Sequence, residues 1–123
     1  MELSELVPDF SEFEELTRQA AMLQGKLYLL KHQLRALEAG LVTTAMLNKD
    51  YWREGKRPTV SYCDRVVMVI GNTEEDAKRL ASFRESIAET TEALQLALGM
   101  IDLMKNKLEL YRTMSANERK GYL

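Results

Sequence analysis

Phe13, Leu16, Ala20, Leu23, Leu27, Leu30, Leu34, Leu37 and Leu41 follow one another at steps of 3, 4, 3, 4, 3, 4, 3 and 4. An apolar stripe held over four heptads is the signature of a coiled-coil seam. It predicts one uninterrupted helix over 12–47, about 55 Å long. No proline interrupts it, and Pro8 lies just outside. Ser11 and Glu14 have the spacing of a capping box, so the helix is expected to start there.

A second stripe runs Leu80, Phe83, Ile87, Leu94, Ala97, Ile101, Met104, Leu108 and Tyr111, with Thr90 filling the missing step. It predicts a second long helix over 73–114. Asn72 and Thr73 are both acceptable caps. Glu74, Glu75 and Asp76 crowd the first turn, where the helix dipole favours acids. Leu98 and Leu110 widen this apolar face beyond a strict seam. Residues 115–123 are expected to be a frayed tail, and 1–11 an acidic N-terminal segment.

Between the helices, 48–72 holds Gly55, Pro58 and Gly71. Its stretch 59–70 is rich in Val, Tyr and Thr, which favours extended structure, although strand and helical turn both remain open for 66–70. The expected fold is a single all-α domain over 1–123. Two long amphipathic helices form an antiparallel coiled-coil-like hairpin, joined by an irregular or short β-prone connector. A lone hairpin buries too little surface, and each helix covers only part of the other's apolar face. The two stripes are therefore expected to supply both core and subunit contacts in a homo-oligomer.

Composition excludes several functions. With 123 residues the chain is one domain or one arm of an assembly, and one Cys excludes an internal disulfide framework or a cysteine zinc site. One His excludes a His-rich metal site. No stretch approaches the roughly 20 apolar residues of a membrane span. The start, MELSELVPDF, has no signal-peptide pattern. The expected compartment is the cytoplasm, the host cytoplasm if the chain is phage-encoded. Nucleotide-binding, metalloprotease and serine-hydrolase motifs are absent. The expectation is no enzyme, no catalytic residue, no cofactor and no metal.

The net charge of −2 hides a strong asymmetry. Residues 1–16 carry six acids and no base, 17–57 carry eight bases against three acids, and 58–123 are near balance. The local field, not the total, is what a partner meets. Lys49-Asp50-Tyr51-Trp52-Arg53-Glu54-Gly55-Lys56-Arg57-Pro58 sets the only Trp and a Tyr among four bases. Flat rings beside cations suit single-stranded nucleic acid, whose bases stack while its phosphates pair with Lys and Arg. The competing reading has Tyr51 and Trp52 finishing the apolar stripe and the bases solvated. Lys26, Lys31 and Arg35 lie off the stripe, as an extension of the basic track or as a solvated face. His32 is expected at the surface. Cys63 is expected to be a small buried hydrophobe, and Met22, Met46, Met100 and Met104 core filler.

The order of features resembles phage recombination-mediator proteins of the UvsY type. The carrying stretches are Leu34 to Ala39, Asp50-Tyr51-Trp52, Gly55 with its charged connector, Asp64 to Ile70, the acidic start at 74–76, and Ala97-Leu98 before Ile101 in a final helix ending Leu108 to Met114. The comparison covers roughly 30–114 and rests on order and spacing. The short basic connector, the acidic N-terminus and the net negative charge depart from the pattern. The resemblance implies a non-enzymatic, ring-like homo-oligomer. It would bind single-stranded DNA and help load a RecA-like recombinase onto strands covered by a single-strand binding protein. Lys49, Arg53, Lys56, Arg57 and Arg65 would then meet phosphates, with Tyr51 and Trp52 as stacking platforms. Two alternatives are a prefoldin-like chaperone subunit, whose connector strands would build a barrel, and a ligand-free structural or adaptor helix protein.

Overall fold

The computed structural model describes residues 10–70 and 73–121, with the backbone alone for 68–70. Three α-helices account for most of it: α1 (Phe10–Leu47), α2 (Val60–Ile70) and α3 (Glu74–Arg119). A single 3-10 turn, Lys49–Tyr51, follows α1. No strand occurs among the described residues.

The two long helices are close to their expected spans. α1 already includes Phe10, so Ser11 lies within the helix and is not its cap. α3 does not stop at Met114; 115–119, expected to fray, continue the helix. Thr73 caps α3, its hydroxyl oxygen accepting the Asp76 backbone N–H at 3.1 Å. Asn72 and Gly71 lie outside the described residues.

The connector departs from the β-prone expectation, because 60–70 is helical. Thr59 supplies the cap: its hydroxyl accepts the Tyr62 N–H at 3.1 Å and its carbonyl accepts the Cys63 N–H at 3.1 Å. Pro58, which cannot continue a helix from upstream, precedes it. Cys63 and Val67, four residues apart, are both fully buried. That burial outweighs the weak intrinsic preference of β-branched residues for strands.

The chain divides into two compact units, 26–90 on one hand and 1–25 with 91–123 on the other. In unit 26–90 the core joins all three helices: Leu41 and Ala45 from α1, Cys63 and Val67 from α2, Leu80 from α3. Leu34, Leu37, Val42, Met46 and Tyr51 pack against it half-buried. Ala45 has no exposed surface. Leu27, Leu30 and Ile87 are also half-buried here. Glu38 and Arg84 approach to 4.0 Å at the partly exposed margin. Buried Thr90 donates its hydroxyl to the Ser86 carbonyl at 2.7 Å, so a polar side chain fits an apolar stripe.

In the other unit, Leu16 and Ala20 of α1 are buried, as are Leu94, Ala97 and Ile101 of α3. Leu23 and Leu108 are half-buried. Phe10, Phe13, Met104 and Leu108 line a small apolar cavity of about 80 Å³. Within residues 10–37 the side chains withdrawn from solvent are Phe13, Leu16, Ala20, Leu23, Leu27, Leu30, Leu34 and Leu37, the stripe positions and no others. Among the four methionines expected as filler, Met46 and Met104 are half-buried, whereas Met22 and Met100 are exposed. No described helix is long and apolar enough to cross a membrane.

Candidate nucleic-acid interface

The basic aromatic segment folds as two tight turns after α1. Asn48 opens the first: its Oδ1 accepts the Asp50 N–H at 3.0 Å, capping the 3-10 turn that carries Lys49 and Tyr51. Arg53 and Lys56 then close a two-residue hairpin turn. The Arg53 N–H donates to the Lys56 carbonyl (3.1 Å), and the Lys56 N–H to the Arg53 carbonyl (2.9 Å). The turn residues Glu54 and Gly55 have φ of 53° and 75°. Two positive φ values make this the mirror-image turn whose twist suits a hairpin.

That geometry has an electrostatic consequence. A residue pair exchanging both backbone hydrogen bonds has its Cα atoms about 5.5 Å apart and its side chains on one face. Arg53 and Lys56 are therefore two cations set side by side, an arrangement that destabilises a cross-strand pair. An anion placed between them relieves the repulsion. Lys49, Arg53, Lys56 and Arg57 are all exposed, and none pairs with a carboxylate among the described residues.

The two rings differ in their surroundings. Tyr51 packs against the core of unit 26–90 and meets Tyr62 of α2 edge-on, with centroids 6.1 Å apart. Trp52 is half-buried. Its indole N–H donates to the Met46 carbonyl at 3.3 Å, and the Arg57 guanidinium lies 5.7 Å from the ring centroid. Tyr51 thus has a packing role in the fold. Trp52 carries the Arg57 guanidinium over its ring, a cation–π contact that holds that side chain in place. Arg65 is exposed on α2, beside exposed Asp64.

α1 presents a second aromatic–cation face. Tyr28 is 75% exposed, far more than Tyr51 or Trp52. Lys31, His32 and Arg35 follow at i+3, i+4 and i+7, all exposed, so they share its side of the helix. Residues 16–37 contain four bases and no acid. The sequence reading did not single out Tyr28; its spacing to Lys31, His32 and Arg35 was the available signal.

Elsewhere the chemistry is sparse. Burial pushes the Cys63 thiol above its ordinary pKa, keeping it protonated. Among the described residues, no group of three His, Cys, Asp or Glu side chains is placed to hold a metal ion. Comparison with known proteins finds no matching family model, no similar curated protein and no similar solved structure.

Proposed function

We propose that this chain is a non-enzymatic, homo-oligomeric single-stranded-DNA-binding protein. On this reading it acts in recombination as mediators of the UvsY type do, helping to load a RecA-like recombinase in the presence of a single-strand binding protein, in the host cytoplasm. The observation that carries the reading is the hairpin turn that sets Arg53 beside Lys56, with Lys49 and Arg57 close by in sequence and, among the described residues, paired with no carboxylate. Phosphates meet Lys49, Arg53, Lys56, Arg57 and Arg65, and bases stack on the part of Trp52 that stays open to solvent. Tyr51 supports the loop from beneath.

The antiparallel coiled-coil-like hairpin is part of the same proposal. In unit 26–90, Leu41 shares a core with Leu80, while Glu38, one turn earlier in α1, meets Arg84, one turn later in α3. Opposed directions of the two helices account for that pairing.

The prefoldin-like alternative requires strands in the connector, and the helical 60–70 counts against it. The test is fluorescence anisotropy of a labelled strand of about 30 nucleotides, long enough for several contacts, against a duplex of equal length. Tighter binding of the single strand supports the proposal. Absence of binding at low salt sinks it, and suppression of client aggregation would then favour the chaperone.

A further inference from the structure

α3 carries a second, largely apolar row on the flank of its buried one. Leu96 is 68% exposed and Leu103 63%, and Met100 and Leu110 are also exposed. Exposed Ala93 and Lys107 complete the row 93, 96, 100, 103, 107, 110, at steps of 3, 4, 3, 4 and 3. The buried row, Leu94, Ala97 and Ile101, belongs to the fold of the same unit. An exposed heptad row of this kind on a folded helix is a contact surface for another helix.

We propose that the partner is α3 of a second copy of this chain, packed antiparallel about a two-fold axis between Met100 and Leu103. The proposal deepens the homo-oligomer part of the functional reading and does not depend on DNA. Charge selects this occupant. An alternation of 3 and 4 steps can pair with itself in either direction, and reversal about the midpoint of this row sets Met100 on Leu103, Leu96 on Lys107 and Ala93 on Leu110, each twice, as an isologous interface requires. The charges favour that direction. A parallel pair would oppose Lys107 to its own copy. The antiparallel pair instead lays the Lys107 stem along Leu96, within reach of Glu92 one turn away. Lys107 and Glu92 are exposed and make no ion pair within the chain among the described residues.

The test is sedimentation equilibrium of the full chain, with circular dichroism as the control for folding and single-strand binding measured on the same samples. Wild type is expected to associate. Leu103→Glu, on an exposed position, is expected to keep the helical content and weaken association at least tenfold. Lys107→Glu is expected to weaken it, and adding Glu92→Lys to restore it. An associated wild type unaffected by Leu103→Glu overturns the proposed face and leaves the homo-oligomer reading standing. A monomeric wild type overturns both. A Lys107→Glu defect that Glu92→Lys fails to repair overturns the antiparallel arrangement.

Discussion

Glu54 occupies the left-handed backbone region at φ 53°, where a side chain with a Cβ is disfavoured and Asn is tolerated best. Glu54→Asn is therefore expected to raise stability by about 0.5–1 kcal/mol, and Gly55→Ala to lower it by about 1–2 kcal/mol, both read from urea unfolding. Tyr28 and Tyr51 separate by role. Tyr28→Ala is expected to weaken single-strand binding by about 1–3 kcal/mol, the value of one stacked base, with unfolding unchanged. Tyr51→Ala is expected to lower stability through the lost Tyr62 and core contacts. Cys63 offers a third check. Its raised pKa and complete burial leave it inert, so a thiol reagent is expected to label it only at the rate of opening or unfolding. The sign of its pH effect follows. Below the ordinary thiol pKa both states hold the proton and its contribution to stability is complete. As pH rises past that value the unfolded chain ionises first, and the contribution is lost towards the folded-state pKa.

At the scale of elements, what was legible depended on length. α1 and α3 each repeat a 3–4 spacing over many turns, and Thr90 in the α3 stripe satisfies its hydroxyl on Ser86. α2 spans only 11 residues. Over so few positions the composition of Val60, Val66, Val67, Val69 and Ile70 spoke for a strand. The spacing of Cys63 and Val67, with Thr59 at the capping position, spoke for a helix. Packing between Ala45 and Leu80 decides in favour of the helix, and that contact lies outside any local window. Gly55 marked a break in the helix, but the hairpin turn at Arg53 and Lys56 was not read from the sequence. The environments of Tyr51 and Trp52 were not, because Tyr62 and the Met46 carbonyl reach them only through the fold. Among the described residues Leu80 is the largest fully buried side chain, and it belongs to the core cluster that draws on all three helices. Leu80→Ala is expected to cost about 2–5 kcal/mol, with loss of α2 seen as reduced helical circular dichroism.

For the whole molecule, the charge pattern matters more than the net −2. Acids lie at 1–16 and at the start of α3, whereas 17–57 presents the basic hairpin and the Tyr28 face of α1. On the proposed function, oligomerisation would multiply that surface, so that several weak phosphate contacts would act on one strand together. The most direct measurement is the salt dependence of single-strand affinity for wild type and for the Lys56→Ala/Arg57→Ala variant. Each phosphate neutralised on a single strand contributes about 0.7 to the slope of log K against log salt. The account expects wild type to bind with a steep slope and the double variant to bind more weakly, with the slope reduced by about 1.4. Equal affinity and equal slope in the two proteins would contradict it.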